Sequence, residues 1–302
     1  MPLYVTEDQV AELLGPAEAL AAVEGSFDRI ARGAVVNPAR VRAELPDGVF
    51  AVMPCVDLEL GYAGLKAFAW LPDGAPFLVV LFSLERAAVA AIVEASVLGE
   101  RRTAAASALA ARLLARDGAA SIGVLGCGRQ AAAHVTALRD ALGLEHVVAW
   151  CPNDRRLAAF CIAHDAKPAG EPREAAGCDI VVTATTSRDP VVRGEWLPDG
   201  ALVLAIGANE PTARELDNVV LERAAFVCTD SLDQARLEAG DLIEPVDRGV
   251  LDWLEVHELQ DVVTGGLSGR AHGEDVVVFK SNGLAAWDIA AAAKVVELLA
   301  EG

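Results

Sequence analysis

The sequence predicts an α/β protein: a Rossmann doubly wound parallel sheet joined to a mostly antiparallel α+β unit. Three observations carry this expectation. Between residues 121 and 229, short apolar runs alternate with helical patterns, the order a parallel sheet requires. A glycine-rich turn, Gly126-Cys127-Gly128-Arg129-Gln130-Ala131, follows the first of those runs and opens a helix. From about residue 41 to 93, strand-like runs instead succeed one another, separated by the turns Pro46-Asp47-Gly48 and Pro72-Asp73-Gly74.

Along the chain, Thr6 and Gln9 have the spacing of a capping box and start a first helix. Gly15-Pro16 interrupts it, and Pro16 suits the first turn of a second helix, where its missing N–H costs nothing. Leu20, Val23, Phe27 and Ile30 then recur at helical spacing up to Gly33, a plausible stop. Strands are expected at 50–53, 65–71, 77–82 and 89–93, and a helix at 101–115, closed by Asp117-Gly118. The parallel sheet is expected from strands at 121–125, 146–150, 180–183, 202–206 and 226–229, with a helix at 155–164. A last strand at 275–279 leads through Asn282-Gly283 to a helix at 284–299, whose apolar face suits packing on the N-terminal unit.

Composition narrows the function. A chain of 302 residues fits two domains, and 53% hydrophobic residues supply ample core. The net charge of −19 repels phosphate backbones and anionic lipid, so neither a nucleic acid nor a membrane surface is an expected partner. No apolar run approaches the ~20 residues of a spanning helix, and the N-terminus lacks a signal-peptide layout. Six scattered cysteines with no C-x-x-C pair read as reduced thiols of a cytoplasmic protein, not as a zinc site or a disulfide framework.

The glycine-rich turn points to a dinucleotide. Gly126 permits the tight turn, Gly128 lets a pyrophosphate approach the backbone, and Ala131 lets the helix lie close on the strand. The helix N-terminus then offers free N–H groups to the phosphates, with Arg129 and Gln130 beside them. NAD and NADP both remain open. No acid ends the second strand, which runs into Cys151-Pro152-Asn153-Asp154-Arg155-Arg156; Asp154 suits a helix cap, and Arg155 and Arg156 suit either a 2′-phosphate or ordinary helix surface, a slight lean toward NADP. Lys66 lies inside the apolar strand Gly64-Leu65-Lys66-Ala67-Phe68, either at a solvated edge or aimed into a pocket.

Several segments resemble the ornithine cyclodeaminase/μ-crystallin family. Gly99-Glu100-Arg101-Arg102-Thr103-Ala104-Ala105-Ala106-Ser107 is similar to its R-T-A-A-x-S signature. Pro38-Ala39-Arg40, Val52-Met53-Pro54, Gly64-Leu65-Lys66, the glycine-rich turn, Gly194-Glu195-Trp196, Gly207-Ala208-Asn209, Arg214-Glu215-Leu216-Asp217 and Val278-Phe279-Lys280-Ser281-Asn282-Gly283 follow in the family's order. The resemblance implies a homodimer with residues 1–116 and 280–302 as substrate-binding and dimerisation domain, and residues 117–279 as dinucleotide domain. It implies that Arg40, Lys66 and Arg102 gather round a substrate α-carboxylate, which guanidinium forks and a lysine charge grip well. Thr103 is expected at cofactor phosphate or substrate, with Asn153 and Arg155 also at the cofactor.

Asn209, which also suits a turn residue capping the next segment, departs from the family pattern. Ornithine cyclodeaminases carry an acid there, and a carboxamide can neither take a proton nor pair with an ammonium as strongly. The expected activity is therefore an NAD(P)-dependent reductase or dehydrogenase of a small α-imino or α-amino acid, of Δ1-pyrroline-2-carboxylate/proline type, with Lys66 or water as proton donor and Asn209 at the reaction centre. The alternatives are an ornithine cyclodeaminase that recycles NAD, and a μ-crystallin-like NAD(P)H-binding protein with little turnover. His134 reads as packing or surface; Asp288, on the final helix, is within reach of the active cleft but is read first as helix surface; and the other histidines share no metal-ligand spacing.

Overall fold

The computed structural model describes residues 1–301. Two compact units divide them: Met1–Ala106 together with the chain from Gly283 on, and Ser107–Asn282. The division falls inside a single helix, earlier than the sequence boundary at 116/117.

The first unit opens with β1 (Leu3–Val5), α1 (Glu7–Leu13) and α2 (Pro16–Ala31). The capping box forms: the Thr6 hydroxyl accepts from the Gln9 N–H, and the Gln9 side chain accepts from the Thr6 N–H. Pro16 occupies the first turn of α2, and Gly33 takes the left-handed conformation (φ 73°) just beyond its end. Strands β2 (Val35–Val36), β3 (Val41–Leu45), β4 (Gly48–Asp57), β5 (Tyr62–Trp70), β6 (Phe77–Ser83) and β7 (Ala88–Glu94) follow. They form a sheet of order β1-β7-β6-β5-β4-β2, with β3 also paired to β4; only the β1–β7 pairing is parallel.

Helix α3 (Ser96–Leu114) starts before the expected residue 101. Gly99, inside its first turn, leaves room for the lysine: a Cβ there would meet the Lys66 ammonium at 3.0 Å. Lys66 pairs with Met53 across β4 and with Val79 across β6, and all three are buried on the inner sheet face. The outer face keeps large apolar side chains in solvent, among them Phe50, Leu78 and Phe82.

The second unit alternates strand and helix: β8 (Ser121–Leu125), α4 (Arg129–Leu142), β9 (His146–Trp150), α5 (Asp154–Ala163), β10 (Lys167–Pro168), α6 (Pro172–Ala176), β11 (Ile180–Thr183), β12 (Leu202–Ala205), α7 (Asn218–Arg223), β13 (Ala224–Thr229), α8 (Leu232–Glu238), α9 (Gly240–Asp247), β14 (Val256–Glu258), α10 (Leu259–Val263) and β15 (Val276–Lys280). The sheet order is β10-β9-β8-β11-β12-β15-β13-β14, and every pairing is parallel. This is the doubly wound sheet the sequence predicted. The strand order reverses at β8, which lies between β9 and β11, and crevices that bind ligands open at such reversals. Continuous apolar strands such as Ile180–Thr183, buried at every position, match a sheet covered on both faces.

The final helix, α11 (Ala285–Glu301), belongs to the first unit and packs on α2, β4, β5 and β6. A Cβ at Gly64 would sit 2.5 Å from the Ile289 side chain, so the missing side chain on β5 lets α11 settle on the sheet. No described helix is long and apolar enough to cross a membrane.

Candidate active site

In the first unit, three charged side chains meet in the interior. Asp288 projects from α11, fully buried, and its Oδ1 accepts from Lys66 Nζ and from Arg102 Nε, each at 3.0 Å. Lys66 comes from β5 and Arg102 from α3; both are almost wholly buried. Burial pushes the Lys66 ammonium down to about 8, the neighbouring Arg102 and Arg40 charges push the same way, and Asp288 opposes them. Lys66 Nζ also stands 5.3 Å from the centre of the Phe77 ring, and the Arg102 guanidinium packs over Trp287.

Two polar atoms of this cluster are buried without a partner: Arg102 Nη1 and Asp288 Oδ2. Gly283, at φ 81°, turns the chain so closely over Arg102 that a Cβ would lie 2.6 Å from Nη1. A buried guanidinium nitrogen with no acceptor carries a desolvation cost that an incoming anion removes. Of the predicted clamp, Lys66 and Arg102 are brought together; Arg40 lies half-buried just ahead of β3, close enough for its charge to act on Lys66. The neighbouring Arg101 turns away and donates to the Ala11 and Leu14 carbonyls at the end of α1. Thr103 is buried, and its hydroxyl donates to the Gly99 carbonyl at 2.7 Å, one turn back in its own helix.

Of the two places the sequence allows Asp288, the helix surface and the active cleft, the favoured one is overturned: it is completely enclosed. A signal was present: it is the one acid in the run Ala285-Ala286-Trp287-Asp288-Ile289-Ala290-Ala291, and a carboxylate amid apolar neighbours on every side must find a buried cation.

The second unit holds the glycine-rich turn at the β8 switch point. The Gly126 N–H donates to the Trp150 carbonyl at 2.8 Å, and its φ of 115° and the Ala184 carbonyl, 2.4 Å from a would-be Cβ, restrict the position to glycine. Gly128 is the N-cap of α4, with no side-chain cap and open space where a Cβ would stand. Arg129 is exposed beside it, Gln130 buries its Oε1 without a partner, and Ala131 is fully buried against the sheet. An uncapped helix N-terminus facing open space fits a dinucleotide's pyrophosphate.

His134 is packing. It is fully buried, and its Nδ1–H donates to the Gln130 carbonyl at 2.7 Å, so Nε2, 2.9 Å from the Ser107 hydroxyl, accepts. At the end of β9, Asn153 rather than Asp154 caps α5, its Oδ1 accepting from the Arg156 N–H at 2.9 Å. Asp154 occupies the first helical position instead, where an acid complements the helix dipole. Arg155 is exposed.

Asn209 is half-buried on the loop after β12, and that loop is held from below. Glu215, fully buried, accepts from Gly207 N–H, Thr183 Oγ1, Thr185 N–H and Thr185 Oγ1, tying the ends of β11 and β12 together. Lys280 donates to the Ala208 carbonyl and stands 3.1 Å from Asp241 Oδ2. Asp241 Oδ1 in turn accepts from the Glu215 and Leu216 N–H groups. Burial and the Asp241 charge raise Glu215 above the usual carboxylate range, against Lys280 and the threonines. Among the described residues, no group of histidines, cysteines or acids is arranged to hold a metal, and all six cysteines are free.

The chain is 35% identical to an alanine dehydrogenase of Archaeoglobus fulgidus, over 98% of this chain and 94% of that protein. The Δ1-pyrroline-2-carboxylate reductase of Thermococcus litoralis, solved with NADH and L-proline, superposes with a TM-score of 0.93 at 26% identity, covering 99% of this chain and 98% of the other. An archaeal alanine dehydrogenase dimer solved with NAD gives a TM-score of 0.93 at 33% identity, covering 99% and 96%. The model of the ornithine cyclodeaminase/mu-crystallin family matches residues 2–302. The family match over nearly the whole chain and these likenesses agree, and the chain belongs to the ornithine cyclodeaminase/mu-crystallin family.

Proposed function

We propose that this protein is an NAD(P)-dependent oxidoreductase acting at the α-carbon of a small α-imino or α-amino acid, with Δ1-pyrroline-2-carboxylate as the first substrate to test. The observation that carries the reading is the buried Lys66–Asp288–Arg102 cluster, with Arg102 Nη1 lacking an acceptor. A substrate carboxylate supplies the acceptor Arg102 lacks, and Lys66 and Arg40 add charge around it. Gripping the acid group fixes the α-carbon next to it. Relatives solved with NAD or NADH favour NAD over the NADP lean of the sequence, and Arg155 on the exposed side of α5 does not argue otherwise.

Gly126, Gly128, Arg129 and Gln130 would hold the dinucleotide, which when bound supplies or accepts a hydride. Lys66, held down to about 8, is charged near neutral pH yet able to release a proton to a substrate nitrogen. Asn209 has no proton to exchange in that range, which disfavours the ornithine cyclodeaminase reading. The apolar outer face of the seven-stranded sheet, with Phe50, Leu78 and Phe82 exposed, is proposed to pair with a second copy, in keeping with the archaeal alanine dehydrogenase dimer.

The test has two arms. NADH absorbance is followed with Δ1-pyrroline-2-carboxylate, pyruvate plus ammonia, and a dicarboxylic imino acid; in parallel, ammonia and proline are assayed from L-ornithine with catalytic NAD. NADH loss with an imino acid and no ammonia from ornithine is expected. Ammonia and proline without net NADH would overturn the proposal. The Arg102→Ala variant should lose ~50-fold or more in kcat/KM, as expected for removing a charge-assisted contact, with NADH affinity unchanged by protein fluorescence.

A further inference from the structure

We propose that Asp288 is the positioning residue of this site: by sharing one carboxylate oxygen between Lys66 and Arg102, it sets the spacing of the two cations and keeps the lysine charged for a substrate carboxylate. The inference rests on the carboxylate-binding reading above and concerns how that site works.

The geometry leaves little choice. Lys66 Nζ and Arg102 Nε are each 3.0 Å from Asp288 Oδ1. Two cations held that close in the interior repel each other, and only a shared anion lets them stand side by side. They come from different elements, β5 and α3, so neither backbone alone fixes their separation. Asp288 reaches both from a third, α11, and its helix is anchored beside it: Asn37 Oδ1 accepts from the Ala286 N–H at 2.8 Å. The carboxylate approaches Nε of Arg102 and leaves Nη1 without a partner, so the guanidinium edge that would grip a substrate remains available.

The charged and titratable neighbours can be named element by element. Arg102 faces Lys66 from α3, Asp288 from α11, and the Arg40 charge acts from ahead of β3. On β4, Cys55 is pushed up to about 12 by burial, with the Asp57 and Asp288 charges adding to it, and stays a neutral thiol at working pH. Of these, Asp288 alone favours the charged form of Lys66. Its removal should therefore release the lysine's proton at lower pH.

The sequence makes this measurable without a substrate. The chain has four lysines, Lys66, Lys167, Lys280 and Lys294. In protein labelled with 13C at the lysine ε-carbon, the Lys66 signal is the one that disappears in Lys66→Met. In Asp288→Asn, the Lys66 midpoint should fall by about 1–3 pH units, and KM for the imino acid should rise ~10-fold or more at pH 8 and by a smaller factor at pH 6, where Lys66 recovers its proton but the two cations still lack their shared anion. Affinity for NADH should not change. An unmoved Lys66 midpoint, or a KM rise that is the same at both pH values, overturns the proposal.

Should Asp288→Asn fail to fold, Asp288→Glu tests the same point. It keeps the charge, so the Lys66 midpoint should hold within about half a unit, while the longer side chain displaces the pair and raises KM. A wild-type KM in Asp288→Glu overturns the positioning role. The titration reads Lys66 in the absence of turnover, so a wild-type protein that consumes no NADH refutes the proposed activity and leaves this test intact.

Discussion

Each unit of the chain buries a lysine beside an aspartate, and the two pairs are finished differently. In the second unit, Lys280 is completely enclosed, with an ion pair to Asp241 Oδ2 and a hydrogen bond to the Ala208 carbonyl. The other Asp241 oxygen takes two backbone N–H groups, and Glu215 completes the network with donors from two strand ends. Its partners are backbone and neighbouring side chains, and the result is a fixed loop under Asn209. In the first unit, Lys66 and Arg102 crowd onto one oxygen of Asp288, while Arg102 Nη1 and Asp288 Oδ2 have no partner; Asp241 Oδ2 also lacks a hydrogen bond but faces the Lys280 ammonium at 3.1 Å. Closed networks of buried charge hold structure. A cluster that buries three charges and leaves a guanidinium nitrogen over is costly to maintain without a ligand, so its excess positive charge points to an anion.

The sharpest way to break this comparison is to delete each lysine's charge at near-constant volume. Lys280→Met leaves Asp241 enclosed without its cation and frees the Ala208 carbonyl. Removing one member of a buried pair costs about 3–5 kcal/mol, which for a protein of this size is a fall in Tm of roughly 10 °C. Lys66→Met leaves Asp288 still paired with Arg102 and relieves the burial of an ammonium, so it should cost less than about 1.5 kcal/mol while abolishing turnover. Thermal unfolding of the two variants decides it. Equal losses would show that the Lys66 cluster is as structural as the Lys280 network.

The same contrast explains what the sequence made legible. The doubly wound sheet was readable because its strands are short, apolar and separated by helical pattern, and because Gly126 and Gly128 sit where strand turns to helix. The strands of the first unit were readable from alternation and Pro-Asp-Gly turns. The shorter helices α6 to α10 and the two-residue strands β2 and β10 were not, since so few residues show no period. Lys66 could be read two ways because a lysine in an apolar strand is equally at home at an edge, and only a partner distant in sequence settles it. That partner, Asp288, lies 222 residues away, and no local pattern announces such a pairing. Glu215 and Lys280 stood in the family-like segments, but their use as a brace for the 207–209 loop depends on strand order.

The smaller effect concerns pH, and it separates the units by window. His134 is held neutral, burial pushing it down to about 4 from an ordinary 6.5. Because the folded protein resists protonation that the unfolded chain accepts, stability is complete above about 6.5 and declines as pH falls toward 4. The loss is at most about 3 kcal/mol, and it acts on the pin between α3 and the cofactor helix α4, where Ser107 donates to Nε2 and Nδ1–H donates to the Gln130 carbonyl. Lys66 is also pushed down, from 10.5 to about 8, so its share of stability rises with pH between those values and contributes nothing to acid lability. Urea unfolding at intervals from pH 7 to 4.5 should therefore show a slope that His134→Gln flattens and Lys66→Met leaves alone. Because His134 stays neutral in the folded protein down to about 4, its support of the Gln130 turn, and NADH affinity with it, should hold over the same range in wild type. An acid slope unchanged in His134→Gln would assign the pH response to the carboxylates and remove the histidine pin from the account.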